Sequence, residues 1–202
     1  LFAKSKNKEN FLYEKKILEY KTLSINDENF YYETNYGNDF SDVVGQDMAK
    51  YAAMISAAGN HNIIFEGSPG CGKSMIAQRM PTILPLMSER ESLEVTKIQS
   101  ISGLLPPDHK IVRMRPFRAP HHNISLNAMI GGGSFAMPGE VSLAHNGVLF
   151  LDELAEFNRS TLDSLRQPME DKHVTISRVN GTNCYPANFM FVAAMNPCPC
   201  GY

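Results

Sequence analysis

The chain has 202 residues, 43% of them hydrophobic, and a formal net charge of −2. That length accommodates one domain with a real core plus an appendage, and the near-neutral charge excludes nucleic-acid binding through global basicity, so any such contact has to be a local patch. No apolar run reaches the roughly 18 residues of a membrane span, the opening LFAKSKNKENFLYEKK lacks a signal-peptide core, and the cysteines Cys71, Cys184, Cys198 and Cys200 do not read as a secreted disulfide framework; a cytoplasmic protein is expected.

Residues 1–38 are polar and rich in Lys, Glu and Asn. Phe11, Leu12, Ile17, Leu18 and Tyr20 fit a short amphipathic helix, Ser24 to Asn38 shows no sustained period and reads as loop, and the whole stretch reads as a linker or the tail of a preceding domain. A helix follows over about Asp47 to Ala58, where Met48, Tyr51, Ala52, Ile55 and Ala58 repeat at helical spacing and Gly59 ends the run. Val43 and Val44, just ahead of it, are placed to pack against an adenine ring.

A strand over His61 to Glu66 runs into Gly67-Ser68-Pro69-Gly70-Cys71-Gly72-Lys73-Ser74, and Met75, Ile76, Ala77 and Met80 continue as a helix. Strand, loop and helix share the G-x-x-x-x-G-K-S spacing of a P-loop. Backbone N–H groups must wrap a triphosphate, so Gly67, Gly70 and Gly72 leave room, and the helix start favours the phosphate charge. Lys73 reaches the β- and γ-phosphates, Ser74 offers Mg²⁺ a hydroxyl, and Cys71 occupies a free position of the motif.

A helix is expected over Ser88 to Ser100, and part of Ile111 to Ala119 as a strand. Gly103 and Pro106-Pro107 break the chain between them. His121-His122 opens a helical segment that Gly131-Gly132-Gly133 closes, and the stretch to Pro138 reads as an exposed insertion. Adjacent helical histidines diverge and no third ligand is spaced for a metal, so a polar network is the better reading.

Val148-Leu149-Phe150-Leu151 then runs into Asp152-Glu153. A buried parallel strand whose tip faces a ligand has this look, a Walker-B pattern. Asp152 holds Mg²⁺, and Glu153 orients and deprotonates the attacking water. A helix is expected over Ala155 to Gln167, with Arg159 and Arg166 on it. Val174 to Arg178 and Thr182 to Tyr185 flank Asn180-Gly181 as a hairpin. Phe189 to Ala194 is a further buried strand, and Asn196 at its tip is placed to hold the lytic water or touch the γ-phosphate.

P-loop, acidic strand, hairpin, then strand plus Asn resembles an AAA+ ATPase, with Asn196 at the sensor-1 position. RPFRAPHH (115–122), PGEVSLAHNGVLFLDELAEF (138–157), LRQPMED (165–171) and NPCPCGY (196–202) resemble the magnesium-chelatase-like ComM/YifB family of bacteria over roughly 39–202. The resemblance implies an α/β P-loop fold: a three-layer αβα sandwich with a mostly parallel sheet, a helix-2-type insertion and a hairpin before sensor 1. It implies ATP and Mg²⁺ as cofactors, and a homo-hexameric ATPase acting on DNA, promoting branch migration in natural transformation. Pore elements would be the 123–138 insertion and the 174–185 hairpin, where a solvated Arg178 is the default reading and a DNA-backbone contact the alternative. Residues 1–38 would be the linker or tail of a Lon-like domain, and 39–202 the ATPase core up to sensor 1. The arginine finger, sensor 2 and helical lid would lie beyond this chain, leaving it weakly active alone. Cys198 and Cys200 would be only half of a zinc site, so bound zinc is not expected here. The same engine also suits a chelatase-type motor acting on a protein partner, or a nucleotide-controlled assembly module.

Overall fold

The computed structural model describes residues 20–33, 37–105, 111–178 and 181–197. Of the helix expected over Phe11 to Tyr20, all but Tyr20 lies outside them, and Tyr20 opens a strand instead; Cys198 and Cys200 also lie outside. Strand β1 (Tyr20–Ile25) and β2 (Glu28–Glu33) form an antiparallel hairpin where loop was expected. Asn26 and Asp27 take φ of 51° and 64°, the mirror-image turn whose twist matches a hairpin. Between them the strands carry Tyr, Thr, Phe and Ile, residues that suit a pleated surface.

Helix α1 (Asp47–Gly59) precedes β3 (Ile63–Glu66), and α2 (Lys73–Arg79) follows the glycine loop. β4 (Met87–Ser88) adds to the outer edge of β2. It feeds α3 (Glu89–Ile101) through a capping box, in which Ser88 Oγ accepts from Glu91 N–H at 3.3 Å and the Glu91 carboxylate accepts from Ser88 N–H at 2.9 Å. β5 (Phe117–Arg118) leads to α4 (Leu126–Ile130), then β6 (Gly131–Gly132), β7 (Met137–Pro138), α5 (Glu140–Leu143) and β8 (Val148–Leu151). The helix expected from His121 starts only at Leu126, because Ser125 supplies the N-cap by accepting from Ala128 N–H at 3.2 Å.

The single helix expected over 155–167 is broken. A 3₁₀ turn covers Leu154–Glu156, Asn158 is extended with ψ 135°, and α6 (Arg159–Ser164) and α7 (Arg166–Asp171) follow. β9 (His173–Arg178) and β10 (Gly181–Pro186) make the expected hairpin, and β11 (Met190–Met195) is the last strand.

A four-stranded parallel sheet in the order β3–β11–β8–β5 organises the rest. Its central strands are buried on both faces, as parallel sheets are. Leu149, Leu151, Phe191 and Ala193 pack on one side with Met129, Val141, Leu165 and Ile176. Val148, Phe150, Met190, Val192 and Ala194 pack on the other with Ala53, Ala57, Ile76 and Met80. The apolar repeat predicted on α1 is not its core face: Met48, Tyr51 and Ile55 are 82%, 63% and 51% exposed, while Ala53, Ser56 and Ala57 are buried. Small side chains let α1 sit close to the sheet. Among the described residues no helix is long and apolar enough to cross a membrane.

Candidate active site

Parallel pairing sets Met195 of β11 opposite Glu66 of β3, and Ala193 opposite Leu151 of β8. The chain leaving β3, β8 and β11 therefore emerges at one edge of the sheet, where α/β folds hold ligands. Gly67 N–H donates to the Met195 carbonyl at 3.3 Å, fastening the loop to β11. Gly70 and Gly72 have φ of 76° and 89°, a region that side chains rarely permit. A Cβ on Gly72 would also lie 2.8 Å from the Gln46 amide nitrogen, and that amide donates to the Cys71 carbonyl. Gln46 is thus part of the loop's support. Its only sequence signal is its place just before α1.

The Lys73 ammonium donates to the carbonyls of Gly67 at 2.5 Å and Ser68 at 2.9 Å, and to Asn196 Oδ1 at 3.1 Å. With Cys71 Sγ also 3.6 Å from the same nitrogen, three donors already face four acceptors, so an arriving phosphate has to replace one of them. Ser74 Oγ donates to Asp152 Oδ2 at 2.6 Å, joining the start of α2 to the tip of β8. Asp152 Oδ1 accepts from Glu153 N–H at 3.0 Å. Two oxygens side by side suit Mg²⁺, which prefers a few protein oxygens and keeps several waters.

Glu153 holds φ 52° and ψ 50°, a left-handed conformation that costs a side-chain-bearing residue about 1–2 kcal/mol. Its carboxylate is 58% exposed and borders a cleft of about 380 Å³ with Asp152, Gln78, His121 and His122. His122 Nδ1 stands 3.6 Å from Glu153 Oε2, and its ring meets Phe157 edge-on at 6.4 Å. The expected polar role for the paired histidines is therefore exercised at the acidic tip of β8. Among the described residues no group of three or more His, Cys, Asp or Glu is placed to hold a metal ion by itself.

Ser68 and Pro69 are exposed, and Met75 packs against the α1–α2 core. Val43 is 3% exposed inside that core whereas Val44 is 90% exposed. Of the two valines expected at an adenine ring, only Val44 presents its side chain. Arg159 lies 3.8 Å from Asp163 on an exposed face, and the Arg178 side chain falls outside what the structure describes.

The opposite edge of the sheet carries a buried polar knot. His145 Nδ1 accepts from Asn188 N–H at 3.1 Å, so Nε2 carries the proton that faces Glu94 Oε2 at 3.2 Å. Burial holds the His145 imidazole below its ordinary value, against the opposing pull of Glu94 and Glu91. Burial raises the Glu94 carboxyl, but bonds from His145, Asn146 and Arg90 together outweigh it and hold the group below its usual range. Nearer the active edge, Arg118 pairs bidentately with Glu140 at 2.6 and 2.7 Å. That pairing, working against burial, raises the guanidinium.

Residues 39–202 match the family described as magnesium chelatase, subunit ChlI. YifB of Escherichia coli is 52% identical over 165 residues, which is 82% of this chain and 32% of that protein. Competence protein ComM of Haemophilus influenzae is 50% identical over 164 residues, 81% of this chain and 32% of that one. The chain thus spans about a third of the length of these relatives. A solved complex of magnesium chelatase subunits BchI and BchD superposes with a TM-score of 0.57 at 22% identity, over 78% of this chain and 54% of that one; at that identity it speaks for the fold, an α/β P-loop NTPase. With four-fifths of its length matched at half identity, and with a family match that starts just ahead of α1, the chain belongs to the magnesium chelatase ChlI family, in its ComM/YifB-like branch.

Proposed function

We propose that residues 39–202 are the ATP-hydrolysing core of an AAA+ motor that assembles as a ring and moves DNA. The observation that carries the reading is the convergence of three distant segments: Lys73 on Asn196 at 3.1 Å and Ser74 on Asp152 at 2.6 Å. Loop N–H groups cradle the phosphates. Lys73 exchanges one of its carbonyl partners for a phosphate oxygen. Bound Mg²⁺ supplies charge that offsets the phosphates, and Ser74 and Asp152 would hold it. Glu153 takes a proton from the attacking water, and Asn196 fixes that water in line with the γ-phosphate. Val44 and Met75 flank the base.

DNA is the substrate this reading favours, contacted by the 123–138 insertion and the 174–185 hairpin. The relative named a competence protein accords with that choice. The test is the ATPase rate of the full-length protein with and without branched DNA. Stimulation by DNA supports the reading. Stimulation only by a protein partner would favour a chelatase-type motor instead. Biological activity retained by Glu153→Gln would leave an assembly module without useful turnover.

A further inference from the structure

The insertion is built as a fixed pedestal with one free tip. Met129 is fully buried, and Gly131 packs so tightly that a Cβ there would lie 2.4 Å from Ile176 Cδ1 and 2.6 Å from the Met137 carbonyl. The base of the β6–β7 turn is thereby pressed onto β9. At the tip Phe135 is 84% exposed, a large apolar side chain held in water.

The next residue is held in an unfavourable conformation. Ala136 has φ 48°, a region that costs any residue with a Cβ. A specific latch holds it there: the Ala136 carbonyl accepts from the buried Tyr185 hydroxyl at 2.9 Å and from the Asn183 amide at 3.5 Å. Asn183 also donates to the Tyr185 hydroxyl at 3.3 Å. The insertion and the β9–β10 hairpin are therefore one body, and the strain is spent on aiming Phe135 outward. Strain that persists under such support is a pointer to function.

Charge indicates what the tip meets. The chain holds 21 Asp and Glu, yet residues 121–139 and 173–202 hold none, and Arg178 lies in the second stretch. Two elements that bring no carboxylate of their own to the tip tolerate a polyanion, and an exposed aromatic on a rigid mount offers a stacking face to an unpaired base at little entropic cost.

We propose that Phe135 stacks on an unpaired base of the DNA strand that the motor moves, and that the Tyr185–Ala136 latch presents it. This inference rests on the DNA reading above. The test uses the full-length protein and two oligonucleotides of equal length, oligothymidine and its abasic counterpart, with binding followed by fluorescence anisotropy. Phe135→Ala is expected to weaken oligothymidine binding by roughly five- to a hundred-fold, the loss of one base stack, and to leave abasic binding unchanged. Phe135→Tyr keeps wild-type affinity, and Tyr185→Phe falls between. Unchanged oligothymidine binding by Phe135→Ala, or an equal loss on the abasic strand, would overturn the stacking inference while the DNA motor stands. Wild-type protein that binds neither strand would overturn both.

Discussion

Lys73 closes the site by binding its own loop and the tip of β11 together. The roles proposed for Glu153 and Asn196 rest on their place at the strand tips, beside Asp152 and Lys73. Glu153→Gln keeps the side chain's size and removes its basicity, so ATP binding should survive while kcat falls by about 10²–10⁴. Equal losses in binding and turnover, read by nucleotide titration beside the rate, would contradict the base role. The convergence of the P-loop and Asp152 was legible in the sequence because each lies in a short run of set residue types, and that of Asn196 only from its place at the tip of the neighbouring strand. Gln46 and His122 were not, because each reaches the site only through folding, by an amide on the Cys71 carbonyl and a ring nitrogen 3.6 Å from Glu153. Val43 misled for the opposite reason: an apolar residue near a ligand loop fits a core or a base, and here the core takes it.

At the level of elements, α1 shows how periodicity finds a helix without finding its inside. The large residues of its repeat face solvent, and the small ones face the sheet. Met48→Gln should therefore change the unfolding free energy by less than about 0.5 kcal/mol, whereas Ala53→Leu, forced against the sheet, should cost about 1–3 kcal/mol. Denaturant midpoints read both, and the reverse order would place the helix face wrongly. The β1–β2 hairpin escaped the sequence because its turn is Asn-Asp and not Asn-Gly, although both turn residues take the left-handed conformation that such a hairpin needs. The break between the 3₁₀ turn and α6 escaped because no proline or glycine marks it; Asn158 simply turns extended and restarts the helix. Gly131→Ala should cost about 2 kcal/mol or more, since φ is 117° and the added carbon meets backbone 2.6 Å away.

Across the whole molecule, the sheet holds ligand chemistry at one edge and a pH-sensitive knot at the other. The folded chain binds the His145 proton less readily than the unfolded chain does. Its contribution to stability is therefore complete above the usual imidazole value of 6.5 and is lost as pH falls below it. Glu94, held below its usual 4.5, adds a second loss of the same sign at more acidic pH. Protonating Nδ1 also sets two donors face to face, His145 against Asn188 N–H. Urea midpoints should fall between pH 7 and 5.5 in the wild type and change less in His145→Gln; equal slopes would remove His145 from the account.

Ser74 and Asp152, 78 residues apart in the chain and 2.6 Å apart in the fold, are the proposed holders of the metal of a bound triphosphate. The most direct test is equilibrium titration of the full-length protein with a non-hydrolysable ATP analogue, with and without Mg²⁺, in wild type and Asp152→Asn. Mg²⁺ is expected to tighten binding to the wild type and to bring little gain to the variant. The same Mg²⁺ dependence in both proteins would contradict that role.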